Sequence, residues 1–192
     1  MQLNVALDVR PIGLDDLSTV RHVHTLAYRA FAGPSLAEDQ IDALVEHVRS
    51  TEYSQQIVAS DTMGAWIDGR LVGTAGWTPG SNLGVGAKLT GVCVDPLFGG
   101  IGIGRKLVEA AESRARRAGF TIVTARTPAN AVRFFERLGY LSTSQGVWAT
   151  PSGVTVPVFH MRKGEERTVR PVEHPIVVST QLENAAMVSR LH

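Results

Sequence analysis

The segment Val94-Asp95-Pro96-Leu97-Phe98-Gly99-Gly100-Ile101-Gly102-Ile103-Gly104 constrains this chain more than any other. It follows a strand-like run, Ala87 to Val94, and precedes a helical pattern. Leu107, Val108, Ala111, Ala115 and Ala118 mark that helix, and Gly119 closes it. Clustered glycines let the backbone approach a ligand closely and turn its N–H groups inward. The N-terminus of the following helix adds a partial positive charge. The combination is an anion site suited to a pyrophosphate. A plain strand-to-helix turn needs fewer glycines.

Two common phosphate motifs are excluded. No frame places glycines at i, i+2 and i+5, as a dinucleotide fingerprint requires. Gly104-Arg105-Lys106-Leu107 lacks the G-K-[ST] of a P-loop. What remains is V-x-P-x-x-x-G-x-G-x-G.

The rest of the chain reads as one mixed α/β domain. Val5 to Val9 is a short strand, and Leu17, Val20, His24, Ala27 and Phe31 follow at helical spacing. Gly33-Pro34 breaks that helix. Ser35-Leu36-Ala37-Glu38 reads as a capping box for a second, with Ile41, Leu44, Val45 and Val48 on one face and an end near Ser50. Met63 to Ile67 and Leu71 to Thr78 form a hairpin about Asp68-Gly69. After the glycine turn and its helix come a strand, Thr121 to Arg126, and a short helix on Ala131, Phe134, Phe135 and Leu138. Two strands, Tyr140 to Ala149 and Val154 to Met161, finish the domain at about residue 163. This order predicts a single mixed sheet of about six to seven strands with helices on both faces. Residues 164–192 read as an appended arm, either disordered or with a strand at Ile176 to Val178 and a short helix after it, through which a homodimer could form.

With 192 residues, 44% of them hydrophobic, the chain can bury a core without disulfides or a structural metal. One cysteine, Cys93, forms no internal disulfide and no cysteine-based zinc site, so no metal is expected. A net charge of +1 gives no field for nucleic acid or a membrane surface. No run of 18 apolar residues occurs, and Met1 to Arg10 does not resemble a signal peptide. A cytoplasmic location is therefore expected.

The glycine segment resembles motif A of the GNAT (Gcn5-related) N-acetyltransferases. Ala131-Val132-Arg133-Phe134-Phe135-Glu136-Arg137-Leu138-Gly139-Tyr140 is similar to that family's motif B, and the order of elements matches along Val5 to Lys163. The resemblance implies acetyl-CoA as co-substrate and a primary amine, on a small molecule or a protein, as acceptor. Val92, Cys93 and Val94 would pair with the pantetheine arm. The amides of Gly99, Gly100, Ile101, Gly102, Ile103 and Gly104, with Arg105 beside them, would hold the pyrophosphate. Phe134 and Phe135 would flank the thiol end, and Asn130 would stand in for an asparagine the family places where this chain has Pro128.

The resemblance also implies the chemistry. The acceptor amine attacks directly in a ternary complex, and a backbone N–H, that of Val94, polarises the carbonyl. Two departures matter. Gly99 replaces the family's Arg or Gln, leaving its N–H but no side chain. Phe135 replaces a Tyr that protonates the departing thiolate in many members. With a cysteine-like thiol pKa of about 8.5, leaving as thiolate near pH 7 costs about 2 kcal/mol, which water can meet. The alternative is a non-catalytic acyl-CoA-binding module on the same fold. Lys88 to Thr90 offers no carboxylate as base. Glu38, Asp39, Asp42 and Glu46 on the second helix read chiefly as a solvated face, with attraction of a cationic amine as the functional alternative. His22, His24, His47 and His160 read as surface or half-buried, and Trp66 and Trp77 as core.

Overall fold

The computed structural model describes residues 6–31, 33–80 and 86–164. The arm proposed for residues 164–192 lies, beyond Gly164, outside the described residues, as does Val5. Seven strands form one sheet: β1 (Leu7–Pro11), β2 (Asp61–Ile67), β3 (Arg70–Pro79), β4 (Gly86–Val94), β5 (Ile122–Thr127), β6 (Leu141–Ala149) and β7 (Thr155–Lys163). Their spatial order is β1-β2-β3-β4-β5-β7-β6. Every pairing is antiparallel except β4 with β5, which is parallel. The β2–β3 hairpin turns at Asp68 and Gly69, whose φ values of 49° and 76° supply the left-handed pair such a turn needs.

Helices cover both faces. On one lie α4 (Ile103–Arg117) and α5 (Ala129–Arg137). Leu107, Val108, Ala111 and Ala115 of α4 are fully buried against Ala65, Val72, Ala75, Ala87 and Val123 of the sheet. Small residues at the sheet positions let the helix lie close. On the other face lie α1 (Leu17–Phe31), α2 (Glu38–Arg49) and α3 (Thr51–Ala59). Val20, Val48, Tyr53 and Ile57 pack there on Trp66 and Leu71. Leu36 and Leu44 meet Val156 and Val158 of β7. Burial of β3 from Leu71 to Trp77 on both faces explains its nearly continuous run of apolar and small residues.

Two local readings change. The helix α3 was not anticipated between Ser50 and Met63; Ser50 caps it, its Oγ accepting from the Tyr53 N–H at 3.1 Å. The capping box is shifted: the N-cap of α2 is Ala37, whose N–H donates to Gln40 Oε1 at 3.1 Å. Gln40 also donates to the Thr155 carbonyl at 2.8 Å, so this cap fastens α2 to β7.

One buried carboxylate ties α4 to the sheet. Glu112, 2% exposed, accepts from Tyr140 Oη at 2.8 Å, from Lys163 Nζ at 2.8 and 2.9 Å, and from Arg116 at 3.0 Å. Glu112→Ala is expected to cost about 3–5 kcal/mol, because Tyr140 and Lys163 lose their common acceptor in the interior. Arg116→Ala, at a half-exposed partner, is expected to cost under about 1 kcal/mol. Urea unfolding of both variants measures the contrast; equal losses would contradict this assignment.

Candidate functional site

The site begins where β4 and β5 part. They pair only at Gly86↔Ile122, Ala87↔Val123 and Lys88↔Thr124. Beyond Lys88, β4 stays with β3 but leaves β5, and a wedge opens between them. The β3–β4 register advances two residues on β3, from Thr74 to Gly76, against three on β4, from Thr90 to Cys93. The extra residue is a β-bulge, which bends its strand and increases the local twist. Gly91 sits in it with φ of 55°. A Cβ there would lie 3.2 Å from Ile57 Cδ1 and 3.3 Å from His24 Cε1, so conformation and space both favour glycine.

A buried chain of hydrogen bonds pins the bulge. Thr74 Oγ1 donates to the Gly91 carbonyl at 2.6 Å. Its proton is thus committed, and it must accept from His24 Nε2–H, also at 2.6 Å. That fixes the tautomer, so His24 Nδ1 accepts from the Tyr53 hydroxyl at 2.6 Å. His24 is fully buried rather than on or near the surface, and burial lowers its pKa to about 4. It remains neutral at physiological pH. The unexpected helix α3 supplies Tyr53, and α1 supplies His24.

The exposed edge of β4 is available for pairing. The Asp95 N–H donates to the Val72 carbonyl at 2.8 Å. Antiparallel pairs alternate, so the adjacent pair Val94↔Gly73 does not exchange hydrogen bonds across β3. The Val94 N–H and C=O therefore face the wedge. Cys93, next to it, is 8% exposed, and burial pushes its thiol up to about 12. It stays a protonated thiol and is no nucleophile at neutral pH.

The glycine turn leaves the end of β4. Asp95 is fully buried; its Oδ1 accepts from the Leu97 N–H at 3.0 Å and its Oδ2 from Arg70 at 2.6 Å. Pro96–Phe98 make a single 3-10 turn. The Gly99 N–H, expected to face the ligand, instead donates to the Pro96 carbonyl at 3.1 Å and closes that turn. Gly99 has ordinary extended backbone, and the Phe31 ring lies 3.5 Å from where its Cβ would stand. Phe31 thus occupies part of the room beside the missing side chain. Gly100 and Gly102 have φ of 80° and 90° with open space around them, so backbone conformation alone selects glycine there. The amides of Gly100, Ile101 and Gly102 make no backbone hydrogen bond among the described residues. Those of Ile103, Gly104 and Arg105 are the unpaired first donors of α4. Six amides in sequence are left for an anion.

The wedge, the turn and α5 enclose a cavity of 880 Å³. Val92, Cys93, Val94, Gly99, Gly100, Gly102, Ile103, Gly104, Arg105, Asn130, Phe134 and Phe135 all line it. Ile101 does not; its side chain is 68% exposed on the outside of the turn. Phe134 packs on the first turn of α4, where a Gly104 Cβ would come within 3.3 Å of its ring. Phe135 is 4% exposed and meets Phe134 and Tyr140 edge-on, with centroids 5.1 and 5.3 Å away. Asn130 donates its amide N–H to the Phe31 carbonyl, fastening α5 to α1 across the cavity. Tyr140 does not line this cavity: its hydroxyl is committed to Glu112.

A second cavity, of 160 Å³, lies on the α2–α3 side. It shares Tyr28, Leu89, Thr90, Gly91, Arg126, Thr127 and Pro128 with the first, so the two adjoin at the wedge. Tyr53, His47, Gln56, Ser60, Lys88 and Trp148 complete its polar and aromatic lining. Glu38, Asp39, Asp42 and Glu46 are exposed and line neither cavity; the solvated-face reading holds. His47 and Trp148 are in edge contact at 5.2 Å. Trp77 lies in the core beside Phe120, its indole N–H on Asp61 at 2.9 Å. Sequence reasoning overlooked Tyr28, Tyr53, Arg126 and Trp148. The spacing of Tyr53 and Ile57, after a serine able to cap, was the signal for α3.

The His24 chain predicts a pH dependence. A histidine at about 4 when folded and near 6.5 when unfolded binds its proton more tightly in the unfolded state. Its contribution is present above pH 6.5 and is lost as pH falls toward 4, about 3 kcal/mol in all. In His24→Gln, stability at pH 7.5 is expected to drop, and the gap from the parent to narrow on acidification. Urea unfolding between pH 7.5 and 4.5 measures it; parallel curves would contradict the buried neutral histidine.

Comparison with known proteins agrees with this geometry. A GCN5-related N-acetyltransferase (Aminotransferase, Class-II) from Rhodopseudomonas palustris superposes with a TM-score of 0.75 at 20% identity, over 86% of this chain and 100% of that one. PaiA N-acetyltransferase from Thermoplasma acidophilum, solved in complex with coenzyme A, gives 0.64 at 20% identity, over 83% and 99%. YncA from Salmonella typhimurium, solved with its cofactor acetyl-CoA, gives 0.62 at 20% identity, over 86% and 98%. At these identities the likeness establishes the fold. No curated protein matches the sequence. The acetyltransferase (GNAT) domain model matches residues 33–154, more than half of the chain, and the protein belongs to the GNAT family.

Proposed function

We propose that this protein transfers an acetyl group from acetyl-CoA to a primary amine by direct attack in a ternary complex. The observation that carries the reading is that two cavities adjoin at the β4–β5 wedge and share its lining residues. The larger ends at six unpaired amides, fit for a pyrophosphate. The free edge of β4 at Val92 and Val94 suits an extended amide-bearing arm, which would add to it like a strand. The bound coenzyme A of PaiA and acetyl-CoA of YncA support that co-substrate here. Acetyl-CoA supplies an activated acyl group on a thiol leaving group.

The residues of this chain then have separable tasks. The amides from Gly100 to Arg105 anchor the phosphates. The Val94 N–H, facing the wedge, is placed to stabilise negative charge on a carbonyl oxygen. Phe134 and Phe135 shield the reacting end from water. Deprotonation of the amine needs no carboxylate at contact. A lysine-like ammonium with pKa about 10.4 must lose roughly 4–5 kcal/mol at pH 7 to become neutral. Lys88 and Arg126 beside the smaller cavity disfavour a third cation and lower that barrier. His47, kept neutral by burial first and by Arg126 second, is the lining group able to accept the proton.

The second reading, an acyl-CoA-binding module without turnover, rests on Phe135: at that position a phenyl ring, with no hydroxyl, lines the cavity. Calorimetry and thiol release separate the two. Acetyl-CoA is expected to bind while ATP does not. Gly102→Val, which forces a β-branched residue to φ of 90°, is expected to weaken acetyl-CoA binding at least tenfold. Amine-dependent thiol release establishes the enzyme; binding without release across an amine panel leaves the module. Absence of acetyl-CoA binding refutes both.

A further inference from the structure

The smaller cavity is cationic, and no carboxylate among the described residues neutralises it. Lys88 ends the short β4–β5 ladder, opposite Thr124, and Arg126 lies two residues further along β5. Their neighbours Ala87, Leu89 and Ala125 are in the core under α4, so the pleat turns both cations to the other face, toward the cavity. Arg126 stacks over the Trp148 ring at 4.5 Å, which fixes its guanidinium but supplies no charge. Neither cation has a carboxylate partner among the described residues.

Among the described residues, the lining itself contains no Asp or Glu. Glu52, the carboxylate that acts on His47, is exposed on α3 and outside the lining. Two further groups are unmet: Thr90 Oγ1 and His47 Nδ1 are buried without a hydrogen-bond partner, and both residues line this cavity. Two like charges facing one concave space repel; burial weakens the hold of Lys88 on its proton most and Arg126 weakens it further, while burial alone lowers that of Arg126. A bound anion removes that repulsion. A polar ligand also satisfies Thr90 and His47, whose unpaired atoms are otherwise costly.

We propose that the acceptor is a compact amine that also carries a carboxylate, held by Lys88 and Arg126 in the smaller cavity. The inference rests on the acetyltransferase reading and names its substrate class. Arg126 offers a planar fork for carboxylate oxygens, and Lys88 a point charge. A volume of 160 Å³ admits one group of about benzene size, so the body of the acceptor is a single small residue. A free amino acid and the first, acidic residue of a peptide share this chemistry.

The test compares acids with their own carboxamides. Thiol release is measured for glycine, β-alanine and glutamate against the matching amides, and for an Asp-first peptide against an Asn-first one. Acids are expected to show at least tenfold higher kcat/KM than amides, with the favoured arm identifying a free or peptide-borne source. In Lys88→Met that ratio is expected to fall within threefold, with acetyl-CoA affinity by calorimetry unchanged. Independently of turnover, the Tm of the CoA-bound protein is expected to rise with the preferred acid and not with its amide. Equal use of amides or diamines, an acid preference that survives Lys88→Met, or no Tm rise with any acid would each overturn the proposal. Turnover of amines without a carboxylate as fast as of the acids sinks this substrate class alone. Failure of the parent protein to bind acetyl-CoA sinks the acetyltransferase reading with it.

Discussion

The structure depends on one extra residue in β4. The bulge at Gly91 turns the strand away from β5 after only three pairs, and every functional feature lies in the opening that results. A bulge is costly unless its stray polar groups are met. Here the Gly91 carbonyl is met by Thr74, which is oriented by His24, which is oriented by Tyr53. Each hydrogen in that series has one direction, because Thr74 has a single proton to give. The series crosses from α3 through α1 to β3 and β4, so the helices on one face hold the wedge open. A fully buried histidine and a glycine at positive φ are the components this requires.

The wedge divides two electrostatic environments. On the turn side, polarity comes from backbone: unpaired amides at the start of α4, with Asp95 withdrawn from the ligand to cap the 3-10 turn and pair with Arg70. Withdrawing that carboxylate matters, since an unpaired negative charge there would oppose an anion. On the α2–α3 side, polarity comes from side chains, and their sign is positive. The acidic residues of α2 remain in solvent, with Asp42 on Arg29 at 3.4 Å. Among the described residues, carboxylates are thus kept out of the lining of both cavities.

Much of this was legible in the sequence, for physical reasons. Glycines at 100 and 102 are conformational necessities, and such positions announce themselves. The periodic apolar face of α4 and the Asp68-Gly69 hairpin did the same. Gly99 misled because its identity says nothing about where its N–H points; the 3-10 turn consumes it. Ile101 was grouped with its neighbours, but its side chain points outward. The smaller cavity was the least legible part. Tyr28, Tyr53, Lys88, Arg126 and Trp148 come from five elements, and only tertiary packing brings them together. His24 at a helical core position could have suggested burial, but its partners Tyr53 and Thr74 are 29 and 50 residues away.

The central claim is that acetyl-CoA lies along the free edge of β4 and on the first amides of α4. Amide hydrogen exchange with and without acetyl-CoA tests it most directly. The account predicts added protection at Val92 and Val94 and from Gly100 to Arg105, with β6, at the far edge of the sheet, unchanged. Protection that spares β4 and the glycine turn while appearing elsewhere would contradict it.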